Sequence, residues 1–183
     1  MMKKLKTLFA FLLVTHLSFS QDLPVDANTN KITYLEVVDA AGLKATDIYK
    51  ITKAWGEGKK YSIVENKENE SIVFSGSFPV EYPNVSGSAN DKGKVNFSFS
   101  IFSKDGKYRF IATDFVHVAE GKVAGSNGGK LENVSPECGK TKMSAKGWIF
   151  IKNKTVTSMK AITDDLKRVV KEAQNDPSKK SDW

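Results

Sequence analysis

The apolar residues of this chain recur at two spacings, and the clearer one is a strict alternation between residues 94 and 102. The apolar set is Val95, Phe97, Phe99 and Ile101, and the polar set is Asn96, Ser98 and Ser100. Successive side chains of a β-strand point to opposite faces, so this segment predicts a strand with one buried and one polar face. We expect the phenylalanines to face covering helices.

Four further segments are rich in β-branched and aromatic residues, which favour strands. They span residues 31–38, 61–65, 71–82 and 108–118. Between the strands predicted over 94–102 and 108–118, Lys104-Asp105-Gly106-Lys107 carries the Asp-Gly pair that is typical of a tight hairpin turn. Both faces of 108–118 carry apolar residues.

Two segments show helical spacing instead. Ile48, Ile51 and Trp55 lie at i, i+3 and i+7, which predicts a helix over 45–55 with Thr46 or Asp47 at its start and the next glycines at its end. A second helix is predicted over 155–173 from one apolar face. That face comprises Val156, Met159, Ile162, Leu166, Val169, Val170 and Ala173.

Residues 119–147 are rich in glycine and poor in apolar positions, so they predict a mobile excursion with room for one short strand. The order of elements is therefore strand, helix, four strands, helix. The economical packing is an α+β fold in which two helices cover one face of a curled antiparallel sheet of about five strands (β-α-β4-α). A single domain over 21–176 and a polar tail over 177–183 follow.

The N-terminal 20 residues have the pattern of a secretory signal peptide. Lysines precede a short apolar run, and Ser18 and Ser20 stand at −3 and −1 of an expected cleavage site before Gln21. The run is too short for a bilayer, which needs about 20 apolar residues. We expect a mature protein in the periplasm or outside the cell that is not an integral membrane protein.

Charge and cysteine content narrow the class of partner. Removing residues 1–20 takes away three lysines and no acid, which lowers the formal charge from +7 to +4. That balance does not predict a nucleic-acid-binding protein. Cys138 is the one cysteine, so no intramolecular disulfide can form, and either an inert thiol or pairing with a partner stays open.

Four groups of residues resemble parts of chemical sites and lack what those sites require. Gly139-Lys140-Thr141 resembles the end of a phosphate-binding loop, but Val134 stands where that loop needs its first glycine. The turn from Asp26 begins like a calcium-binding loop, but it lacks the glycine and the glutamate that such a loop needs. Asp114 and His117 point to opposite faces of a strand. His117 with Cys138 falls short of a zinc site. We predict no catalytic residue, metal or cofactor.

Lysines without any acid occupy residues 138–163, which suggests a surface for an anionic partner. The candidate patch comprises Lys140, Lys142, Lys146, Lys152 and Lys154. The alternative is that these lysines are scattered over different faces and keep the domain soluble.

Four motifs in this order resemble one family. They are Leu23-Pro24-Val25-Asp26, Phe78-Pro79-Val80, Lys104-Asp105-Gly106-Lys107-Tyr108-Arg109 and Asp114-Phe115-Val116-His117. Together they resemble the exported Bacteroidetes domain of unknown function 4468, which has a TATA-binding-protein-like fold. The resemblance covers about 23–118 and, more loosely, the second helix, and 119–147 departs from it. It implies a bacterial source, export and a β-α-β4-α half-saddle, without catalytic residues. A similar fold does not imply DNA binding.

Three functions follow as hypotheses. The first is an exported, non-catalytic interaction module of the cell envelope, which meets an envelope protein or an anionic polymer through its open sheet face or its lysines. The second is a carrier that holds a small apolar ligand between the sheet and the C-terminal helix, near Phe97, Phe99 and Leu166. The third is an unrecognised hydrolase, which would require acidic side chains converging in a cleft.

Overall fold

The computed structural model describes residues 23–121 and 125–176. The predicted signal segment 1–20 and the tail 177–183 lie outside these ranges. The elements are β1 (Tyr34–Asp39), α1 (Ala45–Gly58), β2 (Ser62–Lys67), β3 (Ser71–Pro83), β4 (Asn90–Lys104), β5 (Lys107–Ala119), β6 (Gly129–Lys130) and α2 (Ala145–Asn175).

The strands form one antiparallel sheet in the order β1-β5-β4-β3-β2, and the short β6 pairs with the end of β5 beyond β1. Helix α1 packs mainly against β4, helix α2 against β3, and the helices contact each other. Both helices therefore lie on one face of the sheet, and the opposite face carries no covering element among the described residues. The predicted α+β class and topology are confirmed.

The core lies between the helices and the sheet. Phe97, Phe99 and Ile101 are buried, as the alternation in this segment predicts, while Ser98 and Ser100 on the other face are half-buried. The ring of Phe99 lies 5.5 Å from Trp55 of α1 and 5.6 Å from Phe110 of β5, measured between ring centroids. Aromatic side chains thus join the helix to the central strands.

A β-bulge in β5 explains why both faces of this strand carry apolar residues. Two β4 residues, Asn96 and Ser98, pair with Val116 and Thr113, so β5 holds one extra residue at this point. Asp114 has φ 58°, a left-handed conformation in which aspartate is tolerated. The extra residue reverses the alternation, so both Ala112 and Phe115 are buried.

Helix α2 begins ten residues earlier than the apolar pattern predicts, at Ala145 instead of Thr155. The Ser144 Oγ accepts a hydrogen bond of 3.0 Å from the Gly147 N–H and caps the helix. The helical period is obscured in the first turns because two large apolar side chains point outward. Ile149 and Phe150 are 57% and 45% exposed.

Helix α1 also continues past its predicted end at Trp55. Gly56 lies inside the helix, which ends at Gly58. A Cβ at Gly56 would stand 2.3 Å from the Phe74 ring. The glycine allows the helix to approach β3 closely. It is therefore a packing residue rather than a stop signal.

The described part of the 119–147 segment packs against the domain. Leu131 is fully buried, the Glu132 carboxylate accepts a hydrogen bond from the Ile32 N–H at 2.9 Å, and the Trp148 Nε1–H donates to the Asn133 carbonyl at 3.1 Å. This segment therefore connects the N-terminal turn to the start of α2.

Candidate functional site

The uncovered face of the sheet carries an apolar stripe near the β1 edge. Leu35 and Val37 are 57% and 56% exposed, although both belong to a strand. The strand register places Leu35 beside Ile111 of β5 and Val37 beside Arg109, which in turn pairs with Phe102 of β4. We call Leu35, Val37, Ile111 and Phe102 the apolar stripe.

Basic residues border this stripe. The Arg109 guanidinium carbon lies 4.6 Å from the centroid of the Phe102 ring, a cation–π distance. Lys104, Lys107, Val37 and Phe102 contribute to the walls of a shallow cavity of about 270 Å³. Within the described ranges, neither of these lysines nor Arg109 forms an ion pair. The site therefore combines exposed apolar area with uncompensated positive charge.

The five lysines of the predicted patch lie in the turns before α2 and in the N-terminal part of that helix. Lys140 and Lys142 lie in the turns before α2, and Lys146 and Lys154 lie on its exposed side. Lys152 is half-buried, its Nζ donates to the Asn133 carbonyl at 2.8 Å, and burial lowers its pKa. Lys152 thus has a structural partner, and the other four lysines stay candidates for anion binding.

His117 is fully buried beneath the described part of the glycine-rich segment. Its Nδ1 accepts a hydrogen bond of 3.0 Å from the Gly128 N–H, and its ring stands edge-on to Tyr82 at 5.1 Å. Burial lowers the pKa of His117 from 6.5 to about 4. A neutral, enclosed imidazole anchors this segment, a role that the sequence pattern did not predict.

No group of three or more histidine, cysteine, aspartate or glutamate side chains suited to a metal ion occurs in the described ranges. The turn from Asp26 closes on itself: the Oδ1 atom accepts hydrogen bonds from the Asn28 and Thr29 N–H groups at 3.0 and 2.9 Å. The motif is therefore a side-chain-capped turn.

The region expected for a carried apolar ligand is filled by protein. Phe97 stacks on Phe115 at 6.0 Å and contacts Phe78 at 5.9 Å between centroids, and Leu166 is fully buried. Packed aromatic rings therefore occupy the space between the sheet and the helices, and this packing offers the carrier hypothesis no support.

Comparisons with known proteins agree with this architecture. The family model described as "Domain of unknown function (DUF4468) with TBP-like fold" matches residues 34–118, from the start of β1 almost to the end of β5. A TBP-like protein from Parabacteroides distasonis superposes with a TM-score of 0.60 at 21% identity, covering 81% of this chain and 97% of that one.

A second solved structure, a DUF4468 family protein from Bacteroides ovatus, gives a TM-score of 0.55 at 19% identity, covering 85% of this chain and 91% of its own. No curated protein matches the sequence. Helices able to cross a membrane are also absent from the residues that the structure describes.

The fold and its open sheet face define an α+β protein of the TBP-like class. Within that class, residues 34–118 match the DUF4468 family model. The resemblance stated from the four sequence motifs is thereby confirmed.

Proposed function

We propose that this protein is an exported, non-catalytic interaction module of the cell envelope, which binds a partner protein through the apolar stripe. The observation that carries the proposal is the exposure of Leu35 and Val37 in a strand whose neighbours add Ile111 and Phe102 on the same face. Contiguous exposed apolar residues with a polar rim are typical of protein interaction sites.

The chemistry of the rim indicates the kind of partner. Lys104, Lys107 and Arg109 lie beside the stripe without carboxylate partners in the described ranges. A complementary surface presents apolar side chains flanked by aspartate or glutamate, which steers association and fixes register. The partner is therefore a protein with an acidic border around an apolar centre.

Export is supported by the order of basic, apolar and small residues over 1–20, which predicts a mature N-terminus at Gln21. The absence of a catalytic role is supported by His117, which is enclosed and neutral instead of poised in a cleft. Catalytic bases have a pKa near the working pH and reach the substrate.

The test uses the mature protein carrying a photo-crosslinking residue at position 111 as bait in envelope extracts of the source cell. We expect one partner to be crosslinked by the parent and lost in the Leu35→Lys/Val37→Lys variant. The matched control is Val85→Lys/Val134→Lys, because these valines are 50% and 93% exposed away from the stripe. Equal capture by parent and stripe variant would refute the binding surface, and a product that retains residues 1–20 would refute export.

A further inference from the structure

A second concave site lies at the opposite edge of the sheet, where β2 stops. Strand β2 pairs only with the first part of β3, from Lys67 opposite Ser71 to Ser62 opposite Ser75. From Gly76 to Pro83, β3 pairs with β4 on one side and with no described strand on the other. A groove of about 400 Å³ opens there, which we call the lysine groove.

Lysines form the rim of this groove. Helix α1 ends at Gly58, and the chain turns into β2 through Lys59 and Lys60, the latter with φ 60°. Lys94 of β4 lines the groove as well. Lys59 pairs with Asp165 at 2.7 Å, whereas Lys60 and Lys94 have no ion pair in the described part of the chain.

The floor of the groove consists of small polar side chains, Ser75, Ser77 and Asn96. None of the three side chains has a hydrogen-bond partner among the described residues, so their donors and acceptors are available. Hydroxyl and amide groups both donate and accept, which suits the hydroxyl groups of a sugar. Carboxylates are absent from the lining, so the groove selects against cations.

Tyr61 gives the groove one rigid wall. Its half-buried ring is held edge-on by Trp55 at 5.8 Å and by Phe97 at 5.6 Å. Gly76 lies beneath it, and a Cβ there would stand 2.6 Å from the Phe97 ring and 3.1 Å from Tyr61. The absence of a side chain at Gly76 therefore preserves both the ring packing and the shape of the groove.

An added β-strand is a poor occupant of this edge. Pro79 and Pro83 interrupt the exposed stretch of β3, and proline has no N–H to donate to a neighbouring strand. A ligand held by side chains fits better than one held by the backbone. Single-stranded nucleic acid is also a poor occupant, because its bases stack on exposed aromatic rings and Tyr61 is the one ring in the lining.

We propose that the lysine groove binds an acidic polysaccharide, with uronate carboxylates at Lys60 and Lys94 and sugar hydroxyls at Ser75, Ser77 and Asn96. This occupant relies on the export part of the proposed function, because such polymers lie outside the cytoplasm. The groove is separate from the apolar stripe, so its ligand and the partner protein bind independently.

The probe is an oligogalacturonate of defined length, compared by calorimetry with its fully methyl-esterified form, which keeps the sugar and loses the charge. We expect binding of the acid form that weakens as salt is raised, and none of the ester. The Lys60→Gln/Lys94→Gln variant should bind several-fold to about tenfold more weakly, since two exposed charge pairs are lost. Ser77→Ala/Asn96→Ala should weaken binding several-fold at unchanged net charge.

The matched control is Lys140→Gln/Lys142→Gln, which removes the same charge from exposed turns away from the groove and should bind as the parent does. Equal weakening in both lysine variants, equal binding of the ester, or no binding at low salt would overturn the proposal. Equal affinity for a polyphosphate of the same charge would overturn the choice of sugar. All these variants retain Leu35 and Val37, so failure here leaves the stripe proposal intact, and failure of crosslinking leaves this one intact.

Discussion

The Asp105 carboxylate, in the turn between β4 and β5, accepts a hydrogen bond of 2.7 Å from the Ala45 N–H at the start of α1. The residue at the N-cap position, Lys44, makes no side-chain cap hydrogen bond. A hairpin thus caps a helix that is 60 residues away in sequence. Asp105 also places negative charge at the positive end of the helix dipole.

We expect Asp105→Ala to lower the free energy of unfolding by about 1 kcal/mol, the usual effect of losing a capping side chain. Asp105→Asn should cost less, because its amide oxygen still accepts and Asn-Gly suits the hairpin turn. Urea denaturation monitored by circular dichroism measures both. Thr46→Ala is the control and should stay within about 0.5 kcal/mol. A parent-like midpoint for Asp105→Ala would contradict the capping role.

This contact also marks the limit of what the sequence can predict. The turn around Gly106 and the start of α1 at Ala45 were both predictable from local residue preferences, and both are confirmed. Their contact depends on the sheet order, which brings β5 beside β1 and the hairpin beside the helix. The sequence therefore pointed to Thr46 or Asp47, the nearest polar residues, whereas the acceptor lies in another element.

The bulge at Asp114 and the start of α2 show a second limit. Alternation holds along β4 because that strand has one buried and one open face throughout its apolar part. In β5 one inserted residue reverses the alternation, and in α2 the outward-pointing Ile149 and Phe150 obscure the helical period. Periodicity reports which face is buried only where the backbone stays regular and the exposed face is polar.

The candidate sites were less accessible to sequence reasoning than the fold. The open sheet face follows from the topology and was predicted as a possible contact surface. The lysine groove was not, because Lys60 and Lys94 are distant in sequence and meet only through the pairing of β2, β3 and β4. A run of nearby lysines was the stronger sequence signal, yet the structure engages Lys152 of that run with the Asn133 carbonyl.

The buried face of β4 predicts a contrast between adjacent residues. Phe99→Ala should lower the free energy of unfolding by about 3–5 kcal/mol, because it removes ring contacts with Trp55 and Phe110 and leaves a cavity. Ser98→Ala, on the open face, should change it by no more than about 0.5 kcal/mol. Chemical denaturation of both variants decides the matter. Similar midpoints for the two would contradict the assignment of faces.

His117 predicts a pH dependence of stability. Its folded pKa of about 4 lies below its ordinary value of 6.5, so the unfolded chain binds the proton first as the pH falls. The free energy of unfolding is therefore highest above pH 6.5 and decreases progressively as the pH falls to about 4. One pKa unit corresponds to about 1.4 kcal/mol, so the loss across this window is on the order of 3 kcal/mol.

His117→Asn separates this effect from others, because the Asn oxygen can accept from the Gly128 N–H without titrating. We expect the slope of stability against pH between 7 and 4.5 to flatten in this variant. The carboxyl pKa of Asp165 is held well below its usual range by hydrogen bonds from Lys59, Arg168 and Trp55, so its contribution is lost only at lower pH. Parallel pH profiles for parent and variant would rule out His117 as the source.

The final prediction concerns the lysines of the sequence-derived patch, which we expect not to act together on an anionic surface. Lys146 and Lys154 lie eight residues apart on α2, about 12 Å along the axis at 1.5 Å per residue. This separation exceeds the screening length of about 8 Å at physiological salt. Lys152 keeps its charge, but its Nζ is held at the Asn133 carbonyl and is not free to turn toward a surface between them.

Vesicle sedimentation with and without anionic lipid tests this. Each lysine close to an anionic membrane contributes about 1 kcal/mol, so a true cluster of five would bind strongly at physiological salt and lose most binding in Lys142→Gln/Lys146→Gln/Lys154→Gln. We expect instead the same weak partition of parent and triple variant into anionic and neutral vesicles. A steep salt dependence abolished by the three substitutions would show that these lysines form one surface, with Ile149 and Phe150, exposed between them on α2, as its apolar part.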